Sequence, residues 1–165
     1  MSTEVEEVEE VEEVIPPTLK ETLKADLDVN FKARNELQIA VLRSVLGEIQ
    51  TLEKKGKVAV EFDDAKVLEV LAAEAKKRRD SSVEYADHGV PDRAAREAAE
   101  AEVIAAYLPA ALSDAEVEAI VDAVVAELDE VSPKSFGLVM KNVTAQTKGR
   151  ADGKVVSDLV RAKLS

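Results

Sequence analysis

Apolar residues recur three and four positions apart along most of this chain, and caps or breakers interrupt each periodic stretch. Leu19, Leu23, Leu27 and Phe31 form the first stripe, behind Thr18-Leu19-Lys20-Glu21, where Thr18 and Glu21 have the spacing of a capping box. A second helix is predicted from about Asn35 to Lys55, burying Leu37, Val41, Val45, Ile49 and Leu52 and ended by Gly56. Ile39, Leu42 and Leu46 widen its apolar face, which predicts packing on two sides. The third helix is expected from about Asp63 to Asp87, with Val67, Leu68, Leu71, Ala75, Ser82 and Ala86 inward. His88-Gly89-Val90-Pro91 breaks it. Asp92 to Leu108 then reads as an alanine-rich fourth helix whose small residues let a neighbour approach closely.

Pro109 stops that helix, and Ser113-Asp114-Ala115-Glu116 repeats the capping-box spacing. A fifth helix, roughly Asp114 to Asp129, has Val117, Ile120, Val121, Val124 and Leu128 on one face. Ser132 and Pro133 suit the start of a sixth, with Phe136, Val139, Met140 and Val143 inward. Gly149 can end it in the left-handed conformation. Asp152 can cap a seventh, whose stripe is Val155, Val156, Leu159, Val160 and Leu164. No stretch alternates with period two between turn signals, so no sheet is predicted. The expectation is an all-α protein: an N-terminal helical bundle over residues 18–109, followed by a small three-helix C-terminal domain over residues 110–165. Pro109-Ala110-Ala111-Leu112 is the boundary.

Composition supports helices: 46% of the 165 residues are hydrophobic but only 3% aromatic. With no cysteine, disulfides, thiolate metal sites and cysteine nucleophiles are excluded. No apolar run approaches the roughly 18 residues of a membrane span, and the N-terminus is acidic. A soluble, cytoplasmic protein is expected. The net charge of −12 is unevenly placed, because residues 1–17 hold seven glutamates and no base. Val5, Val8, Val11 and Val14 lie three apart there and give no helical seam. Mutual repulsion predicts a disordered acidic tail over residues 1–17, or a partner-binding one.

Residues 131–165 reverse the sign, with seven Lys or Arg against Asp152 and Asp158, a surplus of +5. Within them Lys148-Gly149-Arg150-Ala151-Asp152-Gly153-Lys154 forms a short basic loop. Read functionally, Lys148, Arg150 and Lys154 contact phosphates beside free N–H groups at the start of the seventh helix. Gly149 and Gly153 then permit close backbone approach. Read structurally, the glycines serve the turn and the bases balance helix carbonyl ends. Lys76-Lys77-Arg78-Arg79 spreads over about 300° of a helix and cannot make one basic face. Lys77 and Arg78 are candidate nucleic-acid contacts. Arg78 and Arg79 equally suit ion pairs with Asp80 or with Glu100 and Glu102. Gly137 suggests close helix contact, Met140 core, and Tyr107 either a base-stacking group or a plug between the two domains. His88 is the only histidine and lies in a loop, so no catalytic residue, cofactor site or metal site is assigned.

Four of these stretches, Lys77-Arg78-Arg79-Asp80-Ser81, Tyr107-Leu108-Pro109, Gly137-Leu138-Val139-Met140 and Lys148 to Gly153, occur in an order and spacing that resembles the YqeY family. That family is similar to the C-terminal tail of the B subunit of the glutamine-dependent aspartyl/glutamyl-tRNA amidotransferase. The resemblance spans Leu19 to Leu164 and implies an all-helical, two-part protein. It implies a tRNA-associated accessory module, with tRNA and a translation-related protein as expected partners. The label of carbon–nitrogen ligase activity with glutamine as amido-N-donor belongs to the whole amidotransferase, whose catalytic parts have no counterpart here. The alternative is a protein-interaction scaffold that docks a cytoplasmic partner through helical grooves or the acidic tail.

Overall fold

A computed structural model describes residues 14–165, so the expectation of a disordered tail falls largely on residues 1–13, outside the described residues. The described residues form seven α-helices: α1 Leu19–Ala33, α2 Glu36–Glu53, α3 Asp64–Asp87, α4 Pro91–Ala105, α5 Asp114–Ala126, α6 Phe136–Thr147 and α7 Gly153–Leu164. A 3-10 turn, Pro133–Ser135, leads into α6.

Local chemistry sets most helix ends. Thr18 and Glu21 close a reciprocal capping box on α1, and Ser113 and Glu116 close another on α5. The Asp63 carboxylate accepts from the Lys66 N–H at the start of α3. Pro91 opens α4 in the first helical position, where its missing N–H costs nothing. Ser132 departs from expectation: it makes no side-chain cap, and the turn after it is 3-10 instead of α. Gly56 is not the stop of α2, which ends earlier, at Glu53, with Lys54 as C-cap. The reversal from α1 to α2 runs through Arg34, whose φ of 59° is left-handed and whose N–H bonds back to Asn30 and Phe31 carbonyls.

Most of the buried apolar residues among those described fall in two separate clusters. Leu23, Val41, Leu42, Val45, Ile49, Val67, Val70, Leu71, Ala75 and Ile104 make the first, from α1 to α4. Val117, Val121, Val124, Val139, Val143, Val156, Val160 and Leu164 make the second, from α5 to α7. Among the described residues no helix of the first four packs on a helix of the last three. As the alanines predict, α3 and α4 lie close together, with Ala94 and Ala101 buried and the Ser82 hydroxyl donating to the Ala94 carbonyl at 2.7 Å.

Three residues expected to face inward are exposed instead, Ala86 near the end of α3 among them. Phe31 is exposed, three residues before the left-handed turn at Arg34, with the Arg43 guanidinium 5.6 Å from its ring centroid. Val155 is half exposed, because Asp152 sets the start of α7 so that Val156 and Val160 face inward.

Candidate nucleic-acid interface

The basic loop between α6 and α7 sits at the junction of the two halves. Thr147 ends α6 with its hydroxyl turned back onto the Val143 carbonyl, and Gly149 takes φ of 73°, the left-handed stop that its position demands. The chain then binds the connector between the halves. Leu112 N–H donates to the Arg150 carbonyl at 2.7 Å, and the Arg150 guanidinium donates to the Ala110 carbonyl at 3.2 Å.

The same loop touches α3. Lys148 Nζ lies 2.7 Å from Glu69 Oε1, and a Cβ placed on Gly149 would lie 4.0 Å from the Ala72 Cβ. The Lys148 hydrogen bond, and after it that of Lys66, holds the Glu69 carboxyl below its usual range. Asp152 faces Lys76, whose own pKa is raised first by its bond to Asp80 at 2.8 Å. Lys148 is 59% exposed and Glu69 37%, so the pair is solvent-screened and works as a register between surfaces more than as a source of stability.

The start of α7 is not a free anion site. Asp152 accepts the N–H groups of Lys154 and Val155 at 2.8 and 3.3 Å, and these bonds hold its carboxyl below the usual carboxylate range. The expectation of free N–H groups there is corrected accordingly. Gly153 occupies the first helical position, where a Cβ would meet nothing within 4 Å. The Lys154 side chain stands exposed, and no carboxylate pairs with it among the described residues.

Lys77 and Arg78, adjacent in sequence, diverge. Lys77 is exposed and unpaired among the described residues. Arg78 is buried, with Nε at 3.2 Å from Glu100, Nη2 at 3.1 Å from the Ser44 hydroxyl and Nη1 on the Glu74 carboxylate and carbonyl. Glu100 serves as expected. Glu74 replaces Asp80 as the second partner, since it lies one turn back on the buried side of α3 while Asp80 holds Lys76. All three guanidinium nitrogens are engaged inside the bundle, so Arg78 ties α2, α3 and α4 together. Lys163 is likewise held, 2.8 Å from both Glu118 and Asp122.

Tyr107 packs on the first core and its hydroxyl donates to the Asp26 carboxylate of α1, so it belongs to the four-helix half and not to the junction. Burial first, then that bond, pushes its phenol pKa well up. Gly137 does not mediate close packing either: a Cβ there would meet nothing within 4 Å, because it lies in the first turn of α6 on the open side. Met140 packs on the second core as expected. No three His, Cys, Asp or Glu residues are grouped to hold a metal ion among the described residues. The sequence alone did not point to Glu69, Ala72 and Lys76 as the face on which the loop sits. Their i, i+3, i+7 spacing was present, but a solvent-facing stripe carries no apolar signal.

Two helical cores joined by a connector and a basic loop make up the described part of the chain. The model of the YqeY-like proteins matches residues 20–164, and the chain belongs to that family. It is 33% identical over 153 residues to "Altered inheritance of mitochondria protein 41, mitochondrial" of Komagataella phaffii, covering 85% of this chain and 80% of that protein. It is 26% identical over 145 residues to the E subunit of the glutamyl-tRNA(Gln) amidotransferase of Methanocaldococcus jannaschii, covering 83% of this chain but 22% of the relative. Against the counterpart of that relative in Thermococcus gammatolerans it is 46% identical over 57 residues, 32% of this chain and 9% of the relative. No helix among the described residues is long and apolar enough to cross a membrane.

Proposed function

We propose that this chain is a non-catalytic, tRNA-associated accessory module whose binding end is the α6–α7 loop. The observation that carries the reading is the loop's placement: Lys148, Gly149, Arg150, Gly153 and Lys154 gather at the junction beside Lys76, with Lys77 exposed next to it on α3. Similarity to a protein named for glutamyl-tRNA(Gln) supports tRNA as the ligand, and a translation-related protein is the companion partner. Glu69, Asp80 and Asp152 share this surface, so the phosphate chain meets cations one at a time and displaces Lys148 from Glu69 as it binds. The cytoplasmic setting is part of this proposal, whereas the Komagataella relative is named as mitochondrial.

Neutralising about three phosphates gives a shallow salt dependence, with log K falling by about 2–3 per decade of salt. Fluorescence anisotropy of bulk tRNA at low and at moderate salt tests it. The expected result is binding at low salt that is lost on combined Lys148→Ala, Arg150→Ala and Lys154→Ala substitution. No binding at low salt, or binding indifferent to the triple substitution, overturns the reading and leaves the protein-docking scaffold in its place.

A further inference from the structure

The ten residues between α2 and α3 form neither helix nor strand, and Lys54 to Glu61 are all exposed. Three of the first four are lysines, Lys54, Lys55 and Lys57, and none pairs with a carboxylate among the described residues. Val58 and Val60 follow, 75% and 60% exposed. The two bare valines leave apolar surface in water beside three lysines that have no carboxylate partner among the described residues.

Both ends of this loop are fastened to the start of α1. Lys20 Nζ lies 2.6 Å from Glu53 Oε1, and the Leu19 N–H donates to Asp64 Oδ1 at 2.8 Å. Glu53 also accepts from the Phe62 N–H at 2.9 Å, and its carbonyl accepts from the Val60 N–H at 3.0 Å. The chain that enters α1 therefore passes the base of the Lys54–Val60 loop. What precedes it is the chemical complement: seven glutamates with Val5, Val8, Val11, Val14 and Ile15 among them, the last two 89% and 86% exposed.

We propose that the Lys54–Val60 loop is the docking surface for the chain's own N-terminal segment, Glu4 to Ile15. Glutamates pair with Lys54, Lys55 and Lys57, and valines cover Val58 and Val60. Reach is not limiting, since an extended chain gains about 3.3–3.6 Å per residue. The short tether holds the segment at an effective concentration on the order of millimolar, enough for individually weak surface pairs to add up. Glu61 and Asp63, exposed between this loop and α3, oppose the docking locally.

The test is zero-length carbodiimide crosslinking of the full chain, which joins a carboxyl to a lysine amine as an amide with loss of water. An equal mixture of 14N- and 15N-labelled protein distinguishes links within one chain from links between copies. The expected result is links from Glu4–Glu13 to Lys54, Lys55 and Lys57 within one chain, several-fold over those to Lys134 and Lys141, which are likewise exposed and unpaired among the described residues. Half-molar salt reduces them several-fold. Links spread evenly over exposed lysines, concentrated on Lys148 and Lys154, or formed between copies overturn the proposal. As a second readout, glutamine in place of all seven tail glutamates shifts the Val58 and Val60 methyl signals; unmoved signals overturn it equally.

Discussion

Two side chains in the first half make the sharpest contrasts with their sequence neighbours. Arg78 holds Glu74, Glu100 and Ser44 from inside the bundle, so truncating it leaves the nearly buried Glu74 without a cation and Glu100 with Arg96 alone. Arg78→Ala is expected to lower stability by about 3 kcal/mol, about 10 °C in the midpoint of thermal unfolding. Lys77→Ala, one residue away, is expected to stay within about 0.5 kcal/mol. Circular dichroism melts of both variants check the pair. Tyr107→Phe removes the bond to Asp26 and is expected to cost about 1–2 kcal/mol at neutral pH. The folded phenol holds its proton above the ordinary value of 10.0. An unfolded chain releases that proton near pH 10. This contribution is therefore complete below about pH 10 and declines as pH rises further. Urea unfolding at neutral pH and at about pH 11 is expected to show the gap between wild type and Tyr107→Phe shrinking at the higher pH. A constant gap refutes the assignment.

At the scale of elements, the helix starts were legible because they are written in contiguous residues. Thr18–Glu21 and Ser113–Glu116 state their own hydrogen bonds. Ser113→Ala is expected to cost about 1 kcal/mol, and its effect should stay in the half that α5 belongs to. Hydrogen exchange should quicken at Val121, Val143 and Val160 and remain unchanged at Val45 and Leu71; uniform quickening contradicts two separate cores. Helix ends were less legible. Gly56 is the residue type that stops helices, yet α2 gives out at Glu53, whose side chain binds Lys20 of α1 and the Phe62 N–H. The controlling partner is 33 residues away in sequence, and local pattern carries no trace of it. The candidate site was legible by half for the same reason. Gly149 and Asp152 act through neighbours and were readable, whereas Lys148 docks on Glu69 and Arg150 on the Ala110 carbonyl, partners 79 and 40 residues away.

Taken as a whole, the molecule has two apolar cores and no helix packed from one onto the other among the described residues. We propose that residues 110–165 fold independently, since both the α5 cap and the Leu112–Arg150 bond lie within them. A fragment of those residues is expected to give a helical circular dichroism spectrum and a cooperative melt, at a lower midpoint than the full chain. A spectrum without helix ends that proposal. The ion pair across the junction, Lys148 to Glu69, is screened, so the orientation of the halves should loosen with salt while each core keeps its own stability.

The turn at Arg34 offers an engineer a different opportunity. A long side chain occupies the mirror-image backbone well there, with φ of 59°, a placement that costs an L-residue about 1–2 kcal/mol. Glycine relieves that strain and gives back part of the gain through the freer denatured chain, leaving about 0.5–1 kcal/mol in hand. Arg34→Gly should therefore raise the denaturant midpoint of the first half without touching any contact in its core. A sturdier form of this protein begins with one atom-poor residue at a bend.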